Sequence, residues 1–392
     1  MSKQFDNTST RRQFLQKSSA TAVIAATAGT AAVSGNAADA VEWRNRQSDM
    51  AYRRLGRTGL MVSEIVCGGS GTTDNGIAHI ELGIEMGLNY LDTAASYGRG
   101  KGEKAFSQLI NTSSRRERVF INTKISYYDD NRREKGREVY DGLTVSEQDA
   151  IDKVVEGSIK DSNVLNEEYT LPYFGRDRYP EQIRDGYRAD EVFRRYPKAL
   201  VRDFNAVEHM LSSIDNSLKN LGTDYVDIAM CPHGAASRKE MAAPELREGM
   251  EKLKKAGKIR FCGVSAHADP AGMVQNAAEL GFYDMCMPAF NFVNGKYFTE
   301  AFKAARKADL GLIAMKVARP VHSTDERRPA PRPDTASALH KAVPGDMSTP
   351  MKAYLWVLQH EEISACNSDL YIEQHVRDNL SIVGKKVKIQ KS

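Results

Sequence analysis

With 392 residues, 41% hydrophobic and 27% charged, the chain can bury a large core, and an α/β barrel of this length forms a single domain. Its formal charge of +4 falls to +2 once residues 1–40 are set aside, since these hold four Lys/Arg and two Asp/Glu; so balanced a surface argues against nucleic acid as the main partner. The five cysteines, Cys67, Cys231, Cys262, Cys286 and Cys366, fall singly in apolar runs, with no CxxC pair to suggest a zinc, iron–sulfur or redox site, and read as buried thiols.

Residues 1–40 read as an address, not as part of the fold. Thr10-Arg11-Arg12-Gln13-Phe14-Leu15-Gln16-Lys17 is a twin-arginine pattern. An Ala/Gly-rich apolar run and a small-residue site at Ala38-Asp39-Ala40 follow, in the order an export signal requires. The run is too short and weakly apolar to anchor, so no stable membrane anchor is expected. The implied partner is the twin-arginine (Tat) export machinery, engaged through residues 10–40, and the expected location is the periplasm. Such export carries folded proteins, which fits an enzyme loaded with a cofactor. An odd cysteine count also fits a chain that folds in a reducing compartment.

Eight short β-branched runs follow as predicted strands: Glu64–Cys67, Asn89–Asp92, Val119–Lys124, Tyr225–Met230, Ile259–Val264, Met285–Phe290, Leu310–Val317 and Ile363–Cys366. Helical patterns lie between most of them. In Val207–Leu221, Met210, Leu211, Ile214, Leu218 and Leu221 recur at three-to-four spacing, and Glu245–Ala256 closes on Gly257. Alternation of this kind implies a parallel sheet, and eight such units imply a (β/α)8 TIM barrel, here over residues 51–382 with a basic tail over 383–392. Two stretches break the rhythm, a polar Arg/Asp/Tyr-rich one over about 126–204 and a Pro/Arg/Asp-rich one over 319–350. Both read as long loop insertions that overhang the barrel mouth, the first as a lid or substrate contact. Its aromatics Tyr127, Tyr128, Tyr173 and Phe174 either line an apolar pocket or pin the loop to the barrel; the pattern leaves both open.

Four ionisable residues fall at strand exits: Asp92, Tyr97, Lys124 and His233. A barrel gathers its strand exits at one mouth, so these four converge although Asp92 and His233 are far apart in sequence. Hydride delivery to a carbonyl leaves negative charge on oxygen, and a proton donor is needed there. Tyr97 holds its proton tightly at its ordinary pKa near 10; a neighbouring Lys124 favours the phenolate, and Asp92 keeps Lys124 charged and in place. His233 then hydrogen-bonds and orients the substrate oxygen.

This set resembles the Asp, Tyr, Lys and His tetrad of the aldo-keto reductase superfamily. The resemblance extends to Tyr52-Arg53-Arg54-Leu55-Gly56-Arg57-Thr58-Gly59-Leu60-Met61-Val62-Ser63, which looks like the β-hairpin plugging the bottom of that barrel, and to Leu91-Asp92-Thr93-Ala94-Ala95-Ser96-Tyr97-Gly98. Ser217 to Asp227 is similar to the helix and strand that lead to the histidine. The resemblance implies reversible reduction of an aldehyde or ketone with NADPH, or with NADH, and no metal. It places the cofactor at Ser265, Asn291, Met315 and Lys316, and at Gln374, Asp378 and Asn379 on the helix facing the adenosine. This sequence departs from the family at Ser265-Ala266, at Met287 in place of a glutamine, and at Ser368-Asp369-Leu370-Tyr371-Ile372, where a Lys or Arg commonly grips a 2′-phosphate and a carboxylate would repel it. Two other readings suit the same residues: a nucleotide-sensing protein on an enzyme scaffold, and a barrel isomerase or hydrolase using Asp92 and His233 as base and acid.

Overall fold

The computed structural model describes residues 41–72, 76–170, 178–199, 204–322 and 333–389. The twin-arginine segment and the aromatics Tyr173 and Phe174 lie outside the described residues. The chain opens with a small sheet in which β2 (Tyr52–Arg54) runs antiparallel to β3 (Leu60–Ser63) and β1 (Glu42–Trp43) adds in parallel on the other side of β3. Among the described residues a closed barrel follows, of eight strands in chain order: β4 (Ile65–Gly68), β5 (Tyr90–Asp92), β6 (Phe120–Lys124), β7 (Val226–Met230), β8 (Ile259–Ala266), β9 (Met285–Pro288), β10 (Gly311–Ala314) and β11 (Ala365–Ser368). Every neighbouring pair is parallel, with β11 closing onto β4. These are the eight expected strands, with ends displaced by a few residues.

The strands form where they do because both of their faces are buried. Tyr90, Phe120, Ile228, Met230, Met285, Met287 and Ile313 fill the barrel interior, while the alternate residues Leu91, Ile121, Ala229, Cys286 and Leu312 join the larger cluster shared with the surrounding helices. Such doubly covered strands read as continuous apolar runs. All five cysteines are buried. Leu55, Leu60 and Val62 of the β2–β3 hairpin belong to the interior cluster, so the hairpin stoppers the end where the strands begin. Gly56 makes this possible: it sits at φ +47°, and a Cβ there would run into the backbone of Asp309, Leu310 and Gly311 at the start of β10.

The segment expected as the first long loop is helical. It contains α1 (Tyr128–Asp141), α2 (Val145–Ser162) and α3 (Tyr179–Arg195). Its apolar stripe is narrow: Ile151, Val155 and Ile159 on α2 face Ile183, Ala189 and Val192 on α3 in a core of their own. The rest of each helix is charged and paired, as in Lys135–Glu138, Arg184–Glu156 and Arg195–Glu191, and this composition conceals the helical period. Thr144 and Glu147 form a capping box at the start of α2. In the second stretch, helix Pro333–Ala342 and the start of helix Thr349–Leu358 replace described parts of the expected loop; residues 323–332 lie outside the described residues. The expected tail is not free up to residue 389. Val383, Val387 and Ile389 pack on the main core, and Gly384 N–H donates to Glu64 Oε2 at 2.7 Å.

A buried carboxylate ties the plug to the barrel. Asp227 of β7 pairs with Arg44, which follows β1, at 3.1 Å, with Arg116 at 2.9 Å and with Arg260 of β8 at 2.6 Å, and it accepts the Ile121 N–H of β6 at 2.9 Å. Burial alone would raise its pKa; Arg116, Arg44 and Arg260 outweigh burial and hold it below the usual carboxylate range. A depressed carboxylate stabilises the fold above its unfolded pKa, near 3.9, and this contribution is lost as pH falls through the folded value. Asp227→Asn is therefore expected to lower unfolding free energy at pH 7 by about 3–5 kcal/mol in urea titrations, because three guanidinium groups lose their partner. The difference from the parent protein should persist above about pH 4 and shrink below it.

Candidate active site

Asp92 closes β5 and Lys124 closes β6, and parallel pairing of the two strands brings their side chains together at the mouth. Lys124 Nζ donates to Asp92 Oδ1 at 2.7 Å and Oδ2 at 2.8 Å, to Thr93 O at 3.0 Å and to Tyr97 Oη at 3.3 Å. Both charges are almost fully buried. The remaining acceptor capacity of Asp92 is met by Asn122 Nδ2 and by Asn367 Nδ2 at 2.9 Å. Tyr97 lies in the turn after β5, its N–H donating to Ala94 O at 3.0 Å and its carbonyl accepting from Gly102 N at 3.2 Å.

His233 follows β7 and is held from three sides. Its N–H donates to Asp129 Oδ1 of α1 at 3.3 Å, its carbonyl accepts the Ser265 hydroxyl, and its Nδ1 lies 3.2 Å from Ser126 Oγ. The ring stands edge-on to Tyr97, with centroids 6.0 Å apart. Burial, followed by the positive charges of Lys124 and Lys316, lowers its pKa to about 3, so the imidazole is neutral near neutral pH. The structure thus brings Asp92, Tyr97, Lys124 and His233 to one place. A cavity of about 290 Å³ opens over Tyr97 and His233, with Tyr127 and Arg133 on one wall and Tyr179 and Gln182 of α3 on another. Tyr127 and Tyr128 divide the two roles open to them: Tyr127 lines the cavity, whereas Tyr128 is fully buried, packs on Phe204 and donates to Glu245 at 3.2 Å.

The expected cofactor positions lie at the exits of β8, β9 and β10 and on α4 (Glu373–Leu380) after β11. Ser265 spends its hydroxyl on the His233 carbonyl. Asn291 is buried, its Oδ1 accepting from Val293 N at 3.0 Å, and its Nδ2 has no hydrogen-bond partner. Met315 joins the interior cluster, and Lys316 stands at φ +58° near enough to His233 to act on its charge. Gln374 is exposed and donates to Asp378 at 2.8 Å, and Asn379 is buried and donates to Ser368 Oγ at 3.0 Å. Met287 lies in the barrel interior, 3.7 Å from Asn367 Nδ2. The Asp369 carboxylate accepts from Ser70 Oγ at 2.8 Å and Tyr371 Oη at 3.2 Å.

Sequence reasoning overlooked Asn122, Asn367, Ser126 and Asp129. Asn122 carried a signal, being a polar residue in register with the inward-facing Phe120 of a fully buried strand, where burial demands a hydrogen-bond partner. Ser126 and Asp129 carried none, because their roles depend on where the inserted helices dock.

The sequence model of the Aldo/keto reductase family matches residues 71–163 and 201–368. L-galactose dehydrogenase of Arabidopsis thaliana is 32% identical over 131 residues, which are 31% of this chain and 39% of that protein. Aldo-keto reductase AMT2 of Alternaria alternata is 22% identical over 313 residues, 76% of this chain and 72% of that one. Among solved structures, the holo form of aldo-keto reductase AKR11C1 from Bacillus halodurans superposes with a TM-score of 0.54 at 20% identity, covering 86% of this chain and 92% of that one. An aldo/keto reductase of Klebsiella pneumoniae, in complex with NADP and acetate, gives 0.53 at 17% identity, covering 86% and 91%. At these identities the superpositions speak for the fold.

The His233 environment is testable without any assay of catalysis. A histidine whose folded pKa is lowered costs the native state stability as pH falls below its unfolded value near 6.5, since the unfolded chain then binds a proton that the native one does not. Between pH 6.5 and about 4 the stability gap between the parent protein and His233→Gln should fall by up to about 1.4 kcal/mol per pH unit in urea titrations. A flat gap would mean that the native imidazole titrates normally.

Proposed function

The chain belongs to the aldo/keto reductase family, and we propose on that basis that it is an oxidoreductase reversibly reducing an aldehyde or ketone with NADPH, NADH being the alternative, and with Tyr97 as general acid. Lys124 Nζ supports this reading most directly: it grips both oxygens of Asp92 and reaches Tyr97 Oη beside a neutral imidazole, under an open cavity.

A nicotinamide cofactor, when bound, supplies the hydride. The residues at the mouth suit such a group. The buried Asn291 amide has an N–H in need of an acceptor, and Lys316 brings positive charge beside His233, as an amide-bearing anionic ligand requires. Ser265, Met315, Gln374 and Asn379 complete the proposed set. The carboxylate of Asp369 is the element that disfavours a 2′-phosphate, which keeps NADH in contention.

The chain's own residues account for the proton. As charge builds on the carbonyl oxygen, Tyr97 Oη gives up its hydrogen to it, and the Lys124 ammonium 3.3 Å away stabilises the phenolate that remains. Asp92, saturated by Lys124, Asn122 and Asn367, holds that ammonium in place. Ser126 Oγ accepts the Ser96 N–H at 3.1 Å, and its own hydrogen finds His233 Nδ1 at 3.2 Å nearer than Lys124 O at 3.5 Å. The single hydrogen of the neutral imidazole is thereby assigned to Nε2, where it donates to the substrate oxygen and orients the carbonyl.

Tyr97→Phe should lower kcat for carbonyl reduction by roughly 10²–10⁴ while NADPH still quenches the fluorescence of the variant and protects it from unfolding. Retention of most of that rate would overturn Tyr97 as the general acid, whereas an isomerase driven by Asp92 and His233 would keep most of its isomerisation rate in this variant and need no nucleotide. Failure of both NADPH and NADH to bind the parent protein would remove the oxidoreductase reading altogether.

We also read residues 1–40 as a twin-arginine export signal, on the order of Arg11-Arg12, the apolar run and Ala38-Asp39-Ala40, with the mature protein periplasmic. Among the described residues no helix is long and apolar enough to cross a membrane. Cell fractionation should find a processed periplasmic form, and changing Arg11 and Arg12 to Lys should leave the precursor in the cytoplasm.

A further inference from the structure

Behind the wall of the candidate site lies a set of buried charges that does not balance. Asp129, Arg132 and Arg133 of α1, Asp190 of α3 and Glu240 of the short helix Arg238–Met241 after β7 are each no more than 7% exposed. Among them three carboxylates meet two guanidinium groups, and Arg133 is shared further with the exposed Asp130.

Hydrogen bonds are unequally distributed over the three acids. Asp190 accepts from Arg132 Nη1 at 2.7 Å and from the Ser237 hydroxyl. Asp129 lies 3.7 Å from Arg133 Nη2 and accepts the His233 N–H at 3.3 Å. Glu240 Oε2 accepts the Ala236 N–H at 2.8 Å, whereas its buried Oε1 receives no hydrogen bond from the protein. A proton removes the surplus negative charge at least cost, and the acid with the fewest donors is the one to hold it. Burial, with Asp129 and Asp190 close by, raises the Glu240 pKa to about 7 against the pull of Arg132 and Arg133. Tyr128, Cys231 and Tyr283, which feel the charge of the same carboxyl, are held well above their ordinary values by burial and stay neutral over this range.

The position of Glu240 makes its proton matter to the site. Residues 233–237, which follow β7 and begin with His233, are fastened to Glu240 through the Ala236 N–H and through the Ser237 hydroxyl, which accepts the Glu240 N–H at 3.1 Å. On their other side α3 packs so closely that a Cβ added to Gly186 would collide with that of Ala236, and its Asp190 takes the Ser237 hydrogen. Gly186 and Asp190 fall between the two segments matched by the family, so this seam belongs to the inserted part of the chain. An ionised Glu240 would add an uncompensated charge beside Asp129 and Asp190, and opening the seam to water relieves it.

We propose that Glu240 is a positioning residue holding a proton, and that loss of this proton in mildly alkaline solution opens the seam between α3 and residues 233–237 and unseats His233. The effect on catalysis rests on the reductase reading above; the proton and the seam do not.

Glu240→Gln keeps the side-chain shape and fixes the neutral state. Infrared difference spectra of the full chain, taken between about pH 6 and about pH 8.5, should show a protonated-carboxyl band disappearing in the parent protein and no such band in the variant. An open seam returns Glu240 to an ordinary carboxylate. Exchange of the His233 and Ala236 amide hydrogens, corrected for its intrinsic rate, should therefore quicken about tenfold over this interval in the parent and stay level in the variant. With butanal and NADPH, the ratio of kcat/KM in the variant to that in the parent should rise severalfold over the same interval. A band that persists in Glu240→Gln, or exchange that responds alike in both proteins, would overturn the proposal; if the variant does not fold, a parent spectrum without the band does so alone. An exchange response that leaves the kcat/KM ratio flat would overturn the positioning role. The same response in a protein that reduces no aldehyde supports the proton and the seam and removes the reductase reading.

Discussion

The pairing of Lys124 with Asp92 sets terms that the rest of the molecule meets. Two charges taken out of water are stabilising together only if geometry is close and the other donors and acceptors are satisfied. Here they are satisfied by residues from two strands and a turn: Asn122 beside Lys124 on β6, Asn367 on β11 and the Thr93 carbonyl after β5. Such convergence needs a sheet that returns to its own beginning. An open sheet with β11 far from β5 would leave Asp92 short of one donor, so barrel closure and the ion pair support each other.

The inserted helices meet the barrel through charges as well as through apolar contact. Arg132 of α1 pairs with Asp190 of α3 at 2.7 Å, Ser237 after β7 donates to the same carboxylate, and Tyr169 donates to Asp269 after β8 at 2.5 Å. Glu240 lies in this cluster; burial, opposed by Arg132 and Arg133 and aided by Asp129 and Asp190, pushes it up to about 7. The insertion also supplies Asp129, which grips the His233 backbone, and thus shapes the site as well as covering it. His233 is fixed between an inserted helix on one side and Ser265 of β8 on the other.

Much of this was legible in the chain itself. The eight strands announced themselves as apolar runs because each is covered on both faces, and Asp92, Lys124 and His233 were located by the rule that strand exits share a mouth. What escaped was information held in pairwise docking. The helical period of Ile151, Val155 and Ile159 was masked by the ion pairs around it, so a three-helix layer read as loop. The residues after 382 read as a tail because the charged Lys385, Lys386 and Lys388 are interspersed with the partly buried Val383, Val387 and Ile389 that fasten it. Asp129 was one acid among many in a polar run, and only the placement of α1 against the β7 exit distinguishes it.

The stopper built from β1 to β3, with Glu42 held by Arg260 and Gly384 held by Glu64, brings both ends of the described chain to the closed base of the barrel. The opening over Tyr97 faces the other way. An affinity handle or a solid support joined directly at residue 41 or residue 389 would therefore leave the entrance turned towards solution.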